Sequence, residues 1–93
     1  LYDYITAGNG DNAAISFFLN YNAGNLDETY EMLANPNVIS GLGDGGAHVR
    51  LICDASQTTF QLAFWTRDRK RGPTLPLEYI VRKLTRDPAA LYG

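Results

Sequence analysis

The chain is poor in the residues that hold small proteins together covalently or through metal. It has one cysteine, Cys53, which excludes an internal disulfide. It has one histidine, His48, and therefore no His-x-His pair. Without one, no zinc-ligand spacing of the usual kind is present. No apolar run approaches the roughly 20 residues that span a bilayer. The opening residues lack the charged-then-apolar pattern of a leader. Neither charge sign dominates. The net charge is −2, which gives no pull toward nucleic acid or anionic lipid. There are no internal repeats and no low-complexity tract.

What is there reads as globular. Hydrophobic residues make up 45% and charged residues 19% of 93 positions, enough for one small core. The expectation is a single partial domain over residues 1–93. Leu1 and Gly93 both look like cuts through structured sequence. A lone thiol fits a reducing, cytoplasmic setting.

Along the chain, "AGNGDN" (7–12) reads as a turn, since Gly and Asn tolerate positive φ. "AAISFFL" (13–19) is a continuous apolar run of strand length. Asn25 and Glu28 resemble a capping box, and Leu26, Tyr30 and Leu33 share one helical face. "VISGL" (38–42) reads as a second strand. A longer helix is expected over about 56–70, with Phe60, Ala63 and Phe64 inward, Asp54 and Ser56 capping, and Gly72-Pro73 stopping it. A third spans about 76–85 on Leu77, Ile80, Val81 and Leu84. Arg82, Lys83 and Arg86 there complement the helix dipole. Asp87-Pro88 opens a last short turn. The order strand, helix, strand, helix, helix implies an α/β fold with a parallel pair and a right-handed crossover. Two parallel strands leave faces and edges uncovered, so further strands or another copy are expected to cover them.

The glycine loop "GLGDGGAH" (41–48) admits three readings. Gly41, Gly43 and Gly46 spell the dinucleotide pattern G-x-G-x-x-G. Asp44, however, puts a negative charge where a pyrophosphate would lie, and the acid wanted about 20 residues on, Asp68, falls in a helical stretch. A structural reading makes Asp44 a turn residue that caps a backbone amide. A catalytic reading uses the rule that parallel α/β sheets place chemistry at strand carboxyl ends. Asp44 there is placed to take a proton from a zinc-held water and give it to a leaving amine.

"NVISGLGDGGAHVRLICDASQTTFQLAFWTRDRKRG" followed by "LPLEYIVRKLTRDPAALYG" resembles the N-acyl-D-amino-acid deacylase (D-aminoacylase-like) branch of the amidohydrolase superfamily. The resemblance implies a β-α-β-α-α fragment, the last two β/α units of a TIM (β/α)8 barrel. It implies zinc-dependent hydrolysis of the amide bond of N-acyl amino acids, with Asp44 as general base and then general acid, in some members also a metal ligand. The remaining zinc ligands of the family lie on earlier strands and have no counterpart in these residues. The 93-residue chain by itself is therefore expected to hold no zinc and to be inactive. A rival expectation is a non-catalytic remnant that folds or oligomerises.

Gly45, His48 and Asn22 are the candidate substrate contacts, beside Asn20 and Tyr21 on the same rim. Cys53 reads as a small buried residue. Arg67, Arg69, Lys70 and Arg71 form the one basic cluster and read as a solvated face, interrupted by Asp68. The expected partners are a small N-acyl amino acid and another copy of the chain or further parts of the barrel, with no nucleic acid and no membrane.

Overall fold

The computed structural model describes residues 1–14, 20–46 and 52–93. Helix α1 covers Tyr2–Thr6 and passes into a 3-10 turn at Ala7–Gly10. Helix α2 covers Asp27–Ala34, α3 covers Gln57–Ala63, α4 covers Leu77–Leu84 and α5 covers Arg86–Tyr92. Helix α3 does not stop at Ala63 but widens into a π-helical turn, Phe64–Asp68. The Arg69 amide closes that turn on Phe64 O at 2.9 Å.

Local chemistry accounts for these boundaries. The Asn25 side chain accepts from the Asp27 amide at 2.9 Å, satisfying an orphan donor at the start of α2. The reciprocal bond expected from Glu28 is not found among the described residues. Asn35 ends α2, with its side chain accepting from the Asn37 amide at 2.9 Å across Pro36. Gly72 takes φ +77, the left-handed turn that follows the π-helical segment. Pro76 opens α4, and its carbonyl accepts from the Tyr79 and Ile80 amides.

The core is small. Leu33, Trp65, Leu75 and Ile80 are buried, and Leu26, Tyr30, Leu62, Phe64, Tyr79 and Leu84 pack around them. Trp65, in the π-helical turn, is edge-on to Phe64 at 4.9 Å and 6.2 Å from the Tyr30 ring of α2. The Leu75 amide donates to Trp65 O at 2.8 Å, which folds the 69–76 segment back over the indole. Two side chains of α4 tie it to the end of α2. The Tyr79 hydroxyl reaches Ala34 O at 2.9 Å, and the ammonium of Lys83, wholly buried, donates to Asn35 O and Val38 O.

The expectation of an α/β fold with parallel strands is overturned. Among the described residues there is no strand and no sheet, and the architecture is helical. Residues 13 and 14 of the first expected strand are neither helix nor strand, and 15–19 lie outside the described residues. The second, Val38–Leu42, is irregular and unpaired. The polar groups of this segment are met elsewhere. Val38 O takes the Lys83 ammonium, the Val38 amide donates to Asn35 O at 3.2 Å, and the Ser40 hydroxyl donates to the Gln61 side chain at 3.0 Å. A short apolar run is compatible with a strand or with a segment lying across helices. Here the segment's partners are the Lys83 and Gln61 side chains of α4 and α3 and the Asn35 carbonyl that ends α2, not a neighbouring strand.

Candidate functional site

The glycine loop is built against the approach to α3. The Asp54 amide donates to Asp44 O at 3.1 Å, so the backbone of Asp44 is anchored. The glycines on either side of it press onto the same segment. A Cβ at Gly43 would stand 2.9 Å from Asp54 O and 3.0 Å from Gln57 Cβ. One at Gly45 would stand 2.9 Å from Ala55 Cβ. Neither site has room for a methyl group, while one at Gly41 would meet nothing within 4 Å. Gly43 and Gly45 are thus needed for close approach, not for a left-handed φ.

That clamp leaves the Asp44 side chain in solvent. Its one hydrogen bond among the described residues is a long one, 3.3 Å, from the Gly46 amide to Oδ1. The bond is the turn contact that the structural reading expects. The second carboxylate oxygen has no hydrogen-bond partner among the described residues. An exposed carboxylate on a fixed backbone can exchange a proton with a water or an amine that comes into reach.

The other candidates are scattered. Gly45 belongs to the clamp. Asn22 sits in an exposed turn closed by the Gly24 amide on Tyr21 O at 3.0 Å. His48 lies outside the described residues. Asp44 lines neither of the two described cavities. One of these begins two residues before it, at Ser40, Gly41 and Leu42, and runs to Leu84 and Tyr92 with about 360 Å3. The dinucleotide pattern gains nothing from the geometry, since Gly43 faces Asp54 and Gln57.

Cys53 is exposed, where burial was expected. Asp54 and Ser56 serve α3 through backbone oxygens, to Gln57 N at 2.9 Å and Phe60 N at 2.8 Å, with no side-chain cap. Among the described residues no group of three or more His, Cys, Asp or Glu side chains converges as a metal site. The zinc implied by the resemblance does not fit the side chains found there.

The basic cluster does not form a uniform solvated face. Arg67 pairs with Asp68 at 2.6 Å, and that bond holds the Asp68 carboxyl below its ordinary value. Arg69 is buried instead, with its guanidinium 4.1 Å from the Tyr30 ring centroid and 5.3 Å from that of Trp65. It donates to Asp27 Oδ1 at 2.8 Å and to Pro73 O at 3.1 Å. Arg71 donates through Nε to the other oxygen of Asp27 at 2.8 Å. The Arg71 hydrogen bond, helped by Arg69, holds the Asp27 carboxyl below 3.8. Nothing in local sequence marked Arg69 as a core residue. The usable signal was the pair of aromatics, Tyr30 and Trp65, that a guanidinium can stack on.

No described helix is long and apolar enough to cross a membrane. Compared with known protein families, with curated proteins and with solved structures, the chain matches none.

Proposed function

We propose that the chain supplies the proton-transferring carboxylate of an amidohydrolase acting on N-acyl amino acids, those of D configuration included. The observation that carries this reading is the clamped loop. Two glycines without room for a side chain fix a backbone whose one acidic side chain points into solvent. The resemblance of "GLGDGGAH" and its flanks to the deacylase branch supplies the reaction class.

In the reaction, Asp44 accepts a proton from a water as the water oxygen bonds to the amide carbon. The C–N bond then breaks, and the same proton passes to the leaving nitrogen. Asp44 ends ionised, as it began, and the products are a carboxylic acid and a free amino acid. Gly45, His48 and Asn22 are the positions proposed to contact substrate. Zinc belongs to this reading as the cofactor of the intact enzyme, held by ligands beyond the described residues. The cytoplasm is the proposed compartment.

A second reading is a non-catalytic remnant that associates with copies of itself. It is favoured by large apolar side chains left in solvent, among them Leu42 at 93% and Tyr92 at 83% exposure. The two readings part on one assay. Gene products containing these 93 residues are incubated with N-acetyl amino acids of both configurations, and free amino acid is measured. Release supports the hydrolase. No release from any product that binds zinc overturns it.

A further inference from the structure

Between α2 and the 69–73 turn lies an open cavity of about 480 Å3. Tyr30 and Pro73 give it apolar wall. Four charged side chains line it: Asp27, Glu31, Arg69 and Arg71. Two of them are already engaged. Arg69 is buried between aromatic rings and bonded to Asp27 and Pro73, and Asp27 accepts from both arginines.

The other two are open. Arg71 uses only Nε, and its two terminal nitrogens have no partner among the described residues. Glu31 is exposed and has no partner among them either, so the two do not pair with each other. The four formal charges cancel. A simple anion would meet Glu31 and Asp27, and a simple cation would meet the guanidiniums. A small molecule carrying both charges satisfies both open groups at once. The other cavity described, which starts at Ser40–Leu42, is lined by no charged side chain.

We propose that this cavity binds a free α-amino acid as its zwitterion. The carboxylate lies on the terminal nitrogens of Arg71, in the fork geometry that suits a carboxylate. The ammonium donates to Glu31, and the side chain lies against Tyr30 and Pro73. The volume is in the range of small-molecule pockets, about 300–1,000 Å3. The Arg69–Asp27 pair fixes the position of Arg71 through the shared carboxylate. This inference stands apart from Asp44 and does not rest on the hydrolase reading. An N-acylated amino acid lacks the ammonium and would bind more weakly.

The experiment is an NMR titration of the isotope-labelled chain with leucine, N-acetylleucine and leucinamide, up to roughly 50 mM, beyond the millimolar range expected of two charge-assisted hydrogen bonds. Leucine is expected to shift the amides of Glu31, Arg71 and Gly72 saturably. The two blocked forms are expected to bind at least about tenfold more weakly, each having lost one charge-assisted bond. Glu31→Gln should erase the difference between leucine and N-acetylleucine, and Arg71→Gln the difference between leucine and leucinamide. Equal binding of all three ligands overturns the proposal, as does the absence of shifts at Glu31 and Arg71. Discrimination between leucine and N-acetylleucine that survives Glu31→Gln also overturns it. If a variant unfolds, the three ligands on the unsubstituted chain decide the matter.

Discussion

Replacing Gly45 with alanine places a methyl carbon 2.9 Å from Ala55 Cβ and 3.0 Å from Ala55 Cα. Carbon atoms pack best at about 3.5–4.0 Å, so the overlap is more than half an ångström. The obstacle is a backbone-anchored alanine and cannot rotate aside. Backbone torsion adds nothing, because Gly45 is not among the residues with positive φ. Overpacking of this kind costs about 1–3 kcal/mol. Relief requires the loop to lift, which lengthens the 3.1 Å bond from the Asp54 amide to Asp44 O. At this chain length, each kcal/mol lowers Tm by about 4–8 °C, so a fall on the order of 10 °C is expected. Gly41→Ala is the internal control. Its methyl group meets nothing within 4 Å, and its φ is not left-handed. It should leave stability unchanged or raise it by up to about 1 kcal/mol through the unfolded chain. Urea midpoints for both variants, with m-values compared, give the answer. If Gly45→Ala is as stable as Gly41→Ala, the loop is not clamped and the case for a presented carboxylate fails.

Other perturbations test the surrounding structure. Lys83→Met removes the donor to Asn35 O and Val38 O. Because the Asn35 end can rehydrate, a loss of about 1–3 kcal/mol in urea denaturation is expected. Stability equal to the parent would mean that the cost of burying the ammonium cancels its bonds. Tyr79→Phe deletes the hydroxyl held by Ala34 O and should cost about 1 kcal/mol, with no loss contradicting that bond. Acid should reveal Asp27. Its folded pKa lies below 3.8, so the unfolded state takes up a proton first as pH falls. The contribution of Asp27 is therefore full above its unfolded value and is lost as pH drops through the lower folded one. Asp27→Asn should flatten the acid limb of a stability–pH curve, and an unchanged limb would refute the pairing with Arg71 and Arg69.

Helices α2, α3 and α4 were legible because their signals are local, while α1 was not expected and α5 was read only as a short turn. Leu26, Tyr30 and Leu33 repeat at helical spacing, and α2 forms there. Pro76 and the Leu77–Leu84 stripe announce α4. The inward face was read less well. Leu77 and Val81 are about half exposed, while Lys83 is wholly buried. The dipole argument accounted for a cation at Lys83 but not for its burial: carbonyls 45 and 48 residues away take its ammonium, and no local pattern carries that information. Arg69 was misread for the same reason, since Tyr30 and Asp27 reach it from α2. Val38–Leu42 failed as a strand because strand-like composition does not supply a neighbour to pair with. The loop's glycines were read as a turn or as room for a ligand, whereas Gly43 and Gly45 lie against Asp54, Gln57 and Ala55, a surface that spacing could not name.

The most direct test of the central claim is kcat for Asp44→Asn set beside Asp54→Asn in an active gene product containing this chain. Both changes remove one negative charge from the same pair of bonded segments. With Asp44 as the proton carrier, the first should lose about 10²–10⁴-fold in kcat. The second should stay near the parent, with metal content equal in all three. Undiminished turnover in Asp44→Asn would contradict the account.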